Sequence, residues 1–452
     1  MAPNNTASMK KKHVAVLAFP FGTHAAPLLN LTKLISLAAN DASFSFFSTH
    51  QSNASLFSAP NLFLPNVTPI TVHDGLPTAY QYNGNPHQPV EFFIKATPRN
   101  FIDAIEATVK LKKTPITCII SDAFHWFAAD LAESFSVPWV PLWTAGPWSL
   151  LLHLHTDQIR QEFSIHGIED KTIEFLPGLR GVRFADIPEG IINEDPDFAV
   201  HSMLQQLGRA LPRATAVVMN SFEGLDYECL KSLESRLKTV YNVGPFALSF
   251  PASSSEDLHG CMEWLDEQEN CSVLYISFGS VICPPPTEIS AIAEALDGGG
   301  QSFLWVLKGS SDATLLPKGF EERTRGRGKV VAWAPQVEVL KHCAVGAFLT
   351  HCGWNSFLES VVGGVPLICR PFFGDQRLNA RIVEFDMGIG VGVGGGKITR
   401  DGALEAIDRV MNGDGRKRMI QKLEELKSSA FVAASLDGAS ISDLDAIFNL
   451  IY

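Results

Sequence analysis

WAPQVEVLKHCAVGAFLTHCGWNSFLESVVGGVPLICRPFFGDQ, residues 333–376, is the stretch whose reading decides the fold. Two apolar runs within it, Val345–Leu349 and Pro366–Cys369, are short and almost wholly apolar. Each leads through a polar turn into a segment of helical period. Consecutive strand-to-helix units of this kind build a parallel sheet covered on both faces. Ligands of such sheets sit beyond the carboxyl ends of the strands. The turns carry an aromatic residue, a His, a Gly-Trp-Asn-Ser sequence, a Glu and an Asp-Gln pair. Together these suit a base to stack, a ribose to clasp, a diphosphate to neutralise and a sugar to hold.

The same alternation extends outward in both directions. Val14–Phe19, Phe44–Ser48, Cys118–Ser121, Val217–Asn220, Val273–Phe278 and Phe303–Leu307 read as further buried strands, with helical segments such as Ala25–Ala39 between them. At 452 residues the chain exceeds one ordinary domain. Leu248–Gly260, with its Pro, serines and acidic residues, reads as a linker. The expectation is therefore an α/β protein of two Rossmann-like domains, 1–247 and 261–430, and a helical tail from 431 to 452 with apolar spacing at Leu444, Ile447, Phe448 and Ile451.

Composition narrows the function classes. The net charge is −12 and no Lys/Arg stripe occurs, which disfavours nucleic acid and anionic membranes as partners. No apolar run approaches the ~20 residues of a spanning helix. Lys10–Lys12 ahead of Val14–Phe19 imitate a signal peptide, but Pro20 and Gly22 end the apolar run too soon. The eight cysteines form no C-x-x-C and read as reduced thiols of a cytoplasmic protein. Without secretion the five N-x-S/T sequons are chance matches.

Two tempting motifs fail on context. Gly390, Gly392 and Gly395 match G-x-G-x-x-G, but the next helix starts only around Thr399–Asp401, so a Gly-rich strand and turn is expected. This disfavours an NAD-dependent oxidoreductase. Asp195-Pro-Asp197 spells D-x-D inside a Pro-interrupted acidic loop, where solvation is the default.

The residues then divide by the chemistry they can offer. Trp333 at a strand-end turn before Pro335 can present an indole face to a base, and Ala334 offers its backbone to the base edge. Glu359 and Gln336 are candidates for ribose hydroxyls. Backbone N–H groups of Asn355 and Ser356 would lie at a helix N-terminus, a natural anion site, with Gly353 permitting close approach and His351 able to donate to phosphate. Ser280, in the turn after Val273–Phe278, is a second phosphate contact. Asp375 and Gln376 sit between a strand end and the helix Arg377–Phe385, where sugar hydroxyls can be gripped. An apolar, aromatic acceptor pocket would draw on Phe21, Phe124, Trp126, Trp143, Trp148 and Phe198.

Nearly the whole chain resembles the plant UDP-dependent secondary-product glycosyltransferases. The resemblance rests on the box at 333–376, on FPFGTH at 19–24, on SDAF at 121–124 and on LWTAGP at 142–147. WAPQ and RPFFGDQRLNAR at 370–381 look most like the flavonoid (flavonol and anthocyanidin) 3-O-glucosyltransferase branch. The resemblance implies the two-domain GT-B architecture, with acceptor in the first domain, UDP-sugar in the second and a tail helix crossing back. It implies UDP contacts at Trp333, Gln336, His351, Asn355, Ser356 and Glu359, and sugar contacts at Thr144, Trp354, Asp375 and Gln376. A Gln at the end of the box goes with glucose in many members and a His with galactose.

It also implies a dyad: His24 as the base and Asp122 as the carboxylate that orients it. The chemistry is then a single inverting displacement giving a β-glucoside, with no metal and no cofactor beyond UDP-glucose as co-substrate. His153 resembles an acceptor-pocket histidine of flavonoid-active relatives. His87, with Gln88 adjacent, stands where many of them have Gln, which leaves open the hydroxyl pattern of the flavonoid aglycone; the alternative reading keeps the chemistry with another plant phenolic acceptor or with UDP-galactose. A monomer is expected.

Overall fold

The computed structural model describes residues 11–58, 64–82, 85, 87–163, 171–192, 199–250, 257–308 and 315–452. The D-x-D loop at Asp195–Asp197, the acceptor candidate Phe198 and the middle of the 248–260 linker lie outside the described residues.

The N-terminal lobe is built on β1 His13–Leu17, β2 Ser43–Thr49, β3 Val67–Val72, β4 Cys118–Asp122 and β5 Trp139–Trp143. After a two-strand antiparallel excursion, β6 Thr172–Ile173 and β7 Val182–Arg183, come β8 Val217–Met219 and β9 Val240–Asn242. The seven main strands form one parallel sheet in the order β3-β2-β1-β4-β5-β8-β9. The C-terminal lobe contains β10 Val273–Ser277, β11 Ser302–Val306, β12 Gly328–Val331, β13 Val345–Thr350, β14 Leu367–Cys369 and β15 Gly390–Gly392. These form a six-stranded parallel sheet ordered β12-β11-β10-β13-β14-β15. Both orders start in the middle, run to one edge and return to the other side. Each sheet therefore has a switch point, at β1/β4 and at β10/β13, where adjacent connections leave in opposite directions and open a crevice.

The strands are where apolar runs called for them, because a strand covered on both faces is apolar at every position. β1, β4, β10 and β13 are buried throughout. The unexpected strands have specific reasons for having been hidden. β3 (VTPITV) and β5 (WVPLW) contain Pro69 and Pro141, which argue against a strand. β12 is a short edge strand that follows a basic Gly-rich turn. The expected helix Arg377–Phe385 is shorter in α form: it runs Gln376–Arg381 and relaxes into a π-helical turn at Ile382–Met387.

One hydrophobic cluster runs through both lobes, joined by Trp148 of the first and by Trp354 and Phe357 of the second. Trp148 meets Trp354 edge-on at 5.6 Å, and Trp354 stacks on Phe357 at 5.1 Å. The last helix, Ala439–Ile451, lies against β9 and the helix Ala25–Ala38 of the N-terminal lobe. Its Ile447 and Ile451 are 0% and 2% exposed within that lobe's outer core. Burying such side chains contributes about 1.5–3 kcal/mol each. Asp443 adds an acceptor for the Asn242 N–H at 2.7 Å. Among the described residues no helix is long and apolar enough to cross a membrane.

Candidate functional site

The two switch points carry most of the chemistry named from the sequence. In the N-terminal lobe, β1 pairs with β4 through Leu17↔Ser121, so the turn after β1 and the end of β4 are neighbours. His24 occupies the N-cap position of helix Ala25–Ala38 but makes no side-chain cap bond, which leaves its ring free. His24 Nδ1 donates to Asp122 Oδ2 at 2.9 Å. Asp122 is 0% exposed, and its Oδ1 accepts the Phe124 N–H at 2.9 Å, so the carboxylate cannot rotate. With Nδ1 carrying the proton, Nε2 is the basic nitrogen. Thr144, just beyond β5, places Oγ1 3.0 Å from the same Nδ1. Taking the second arm of that N–H leaves the threonine's own proton free to be donated into the cleft.

Aromatic rings surround this dyad. His24 packs on Phe124 at 4.3 Å and on Phe19 at 5.2 Å, while Phe21 meets Phe93 at 5.5 Å. Phe21 and Phe124 were legible as wall residues. Phe19 and Phe93 were missed, the first hidden at the end of the β1 apolar run and the second in helix His87–Ala96. His87 opens that helix and is exposed, about 9 Å along the axis from Phe93 by helical rise. His153 is buried, meets Trp143 edge-on at 5.3 Å, and its Nδ1 has no partner among the described residues. Burial pushes its pKa down to about 4. Trp148 belongs to the lobe seam instead, with its indole N–H donated to Asp226 Oδ2 at 2.7 Å.

In the C-terminal lobe, β10 pairs with β13 through Ser277↔Thr350, which sets the Ser280 turn beside His351. The turn after β13 is tight: Cys352 adopts φ 61°, the left-handed region that costs a non-glycine residue about 1–2 kcal/mol. Its carbonyl accepts from Asn379 Nδ2 at 3.0 Å, which holds the conformation. His351 fits only because Gly279 and Gly353 lack side chains. A Cβ at Gly279 would stand 2.8 Å from His351 Cε1, and one at Gly353 would overlap Nε2. Burial lowers the His351 pKa to about 4, so the ring is neutral at pH 7 and can donate one proton. The helix Trp354–Gly363 starts here, and its first N–H groups lack intrahelical partners.

Trp333 is 44% exposed and offers an open indole face, while Ala334 beside it is buried. Gln336 is not a free ribose acceptor. Its Oε1 accepts from the Tyr275 hydroxyl at 3.2 Å, and its Nε2 donates to Ser356 Oγ at 3.1 Å and to Glu359 Oε2 at 2.7 Å. The amide thus orients Glu359, whose second oxygen has no bond from any described residue. Desolvation raises the Glu359 pKa to about 7, against the opposing Gln336 bond.

Asp375 precedes helix Gln376–Arg381 without capping it. Its Oδ2 accepts from Asn379 Nδ2 at 2.9 Å, and burial raises its pKa. The Gly146 N–H and the His24 charge, both from the opposite lobe, act against that rise and put Asp375 across the cleft from the dyad. Gln376 accepts the N–H groups of Phe372 and Phe373 at 2.9 and 3.3 Å, which leaves only its NH2 for a ligand. Trp354 turns its indole away from the cleft. It is 4% exposed and its indole N–H goes to Asn220 O at 2.8 Å, so only its main chain faces the turn.

Comparison with known proteins agrees with this geometry. The family model for UDP-glucoronosyl and UDP-glucosyl transferase matches residues 71–439. The flavonoid 3-O-glucosyltransferase of Medicago truncatula is 50% identical over 97% of this chain and 96% of its own. The anthocyanidin 3-O-glucosyltransferase UFGT of Vitis vinifera is 46% identical over 97% of each. A solved UDP-glucose: anthocyanidin 3-O-glucosyltransferase in complex with UDP superposes with a TM-score of 0.92 at 38% identity, covering 98% of this chain and 99% of that one.

Proposed function

The chain belongs to the UDP-glucoronosyl and UDP-glucosyl transferase family, and from that premise we propose that it moves glucose from UDP-glucose to the 3-hydroxyl of a flavonol or anthocyanidin, with inversion. One observation carries the chemistry: the His24–Asp122 pair lies at one switch point and the N-terminus of helix Trp354–Gly363 at the other, and Asp375 of the second lobe feels both the Gly146 N–H and the His24 charge of the first. The flavonoid acceptor is supported by relatives of 50% and 46% identity that act on flavonoids and anthocyanidins.

His24 Nε2 takes the proton of the acceptor hydroxyl as its oxygen attacks C1 of the sugar. The bond from C1 to the diphosphate oxygen breaks on the opposite face, and UDP leaves with the electron pair. Asp122 stabilises the imidazolium that forms. The departing charge meets the neutral donor His351 and the unpaired N–H groups of Trp354, Asn355 and Ser356, so no metal is required. Trp333 stacks the uracil with Ala334 at its edge, Glu359 accepts from the ribose, and Ser280 adds a phosphate contact. Thr144, the Trp354 main chain, Asp375 and the Gln376 NH2 hold the sugar. Phe21 and Phe124 wall the acceptor, with His153 behind them and His87 at the rim. We read the protein as a cytoplasmic monomer.

The test is a mass-spectrometric transfer assay with EDTA, pairing UDP-glucose and UDP-galactose with quercetin, cyanidin and a simple phenol. A 3-O-monoglucoside formed undiminished in EDTA is the expected product. Failure to glycosylate either flavonoid while UDP still binds would discard the acceptor and keep the donor site.

A further inference from the structure

Asn220 joins the two lobes beside the donor turn, and the reaction scheme does not use it. It follows β8 in the N-terminal lobe and is 4% exposed. All of its polar side-chain and carbonyl groups are engaged. Oδ1 accepts the Phe246 N–H at 2.9 Å, the main-chain carbonyl accepts Trp354 Nε1 at 2.8 Å, and Nδ2 donates to Asn355 Oδ1 at 3.4 Å. Gly244 makes the room, since a Cβ there would overlap Asn220 Oδ1.

The donor and acceptor roles follow in one direction. A backbone N–H can only donate, so Phe246 fixes which end of the Asn220 amide is oxygen. Nδ2 must therefore face Asn355, and Asn355 must answer with its own oxygen. That orientation turns Asn355 Nδ2 away from the seam, and no described residue bonds it. We propose that Asn220 is a positioning residue for the donor diphosphate: an acceptor-lobe side chain that holds the Asn355 amide with its NH2 toward the anion. Donor affinity then depends on the alignment of the two lobes. The inference rests on the assignment of Asn355 to the donor site made above.

Asn220→Asp separates this role from a structural one. A carboxylate still accepts from Phe246 N–H, and the main-chain bond to Trp354 is untouched. It cannot donate to Asn355, whose amide flips to donate instead and turns its oxygen toward the diphosphate. The expected result is a rise of about tenfold or more in the UDP-glucose KM and the UDP Kd, the scale of a lost bond to a charged group. The flavonoid KM should stay within about twofold, as expected for a site outside the acceptor pocket.

A new negative charge could weaken UDP by repulsion alone, so Asn220→Asp is repeated in an Asn355→Ala background. If the effect travels through the Asn355 amide, the double variant binds UDP no worse than Asn355→Ala. Persistence of the full loss there would overturn the proposal, as would equal rises in both KM values with a lowered Tm. If Asn355→Ala weakens UDP and Asn220→Asp does not, the donor site stands and the proposal alone falls. If Asn355→Ala leaves UDP binding intact, the Asn355 side chain does not hold the diphosphate and the proposal falls, while the main-chain N–H assignment at the helix start stands.

Discussion

Gly353→Ala is a clean probe of the donor turn because it tests space and little else. Gly353 sits at φ −64° and ψ 149°, a conformation alanine adopts without strain. A Cβ there would overlap His351 Nε2 and stand 3.1 and 3.2 Å from Cδ2 and Cε1. Ordinary contacts need about 3.5–4.0 Å, so the ring must withdraw by on the order of 0.5–1 Å. Losing the hydrogen bond from His351 to a diphosphate should cost about 1.5–3 kcal/mol, or ~10–150-fold in UDP affinity. The assays are calorimetric UDP binding and the UDP-glucose KM, with Tm as a fold check. Global stability should move by less than about 1 kcal/mol, because restricting the unfolded chain offsets part of the crowding. The decisive arm repeats the substitution in His351→Ala. With no ring to displace, Gly353→Ala should then be nearly neutral. Additive losses would refute the reasoning and mean that Gly353 serves the approach of the phosphate to the backbone.

Three further outcomes follow from the site. His24→Ala should lower kcat by about 10²–10⁴-fold, the usual scale of general base catalysis, with UDP affinity nearly unchanged; unimpaired turnover would remove the dyad. The Glu359 carboxyl is raised from 4.5 to about 7, so between those values the unfolded chain holds fewer protons and stability falls as pH rises through the window. UDP favours the carboxylate, so its binding near pH 6 should release a proton, seen as a buffer-dependent enthalpy that vanishes above about pH 8.5 and in Glu359→Gln. Gln376→His should weaken glucose use, because imidazole cannot accept both the Phe372 and Phe373 N–H groups as the amide oxygen does; an unchanged glucose-to-galactose ratio with unchanged KM would contradict this.

Periodicity and turn chemistry are local, and they made the parallel sheets, the helix after FPFGTH and the strand-to-helix turn at 351–356 legible from sequence. The same local rules hid β3 and β5 behind prolines and left Phe93 as one apolar helix residue among many. They also made Gln336 a ribose candidate, while the sugar contact at Trp354 came from the resemblance alone. The tertiary structure redirects them. Gln336 spends its amide on Tyr275, Ser356 and Glu359, and the Trp354 indole is consumed by the lobe seam.

What the chain order alone determined is which residues end strands, and therefore which can line a cleft. What only the folded molecule decided is who meets whom. His24 finds Asp122 98 residues away, Thr144 reaches His24 over 120, and Asn220 reaches Asn355 over 135. Strand order sets the first two pairings and lobe docking sets the third. A hydrogen bond needs its partners within about 3 Å, and no local pattern in a sequence encodes a distance across two sheets.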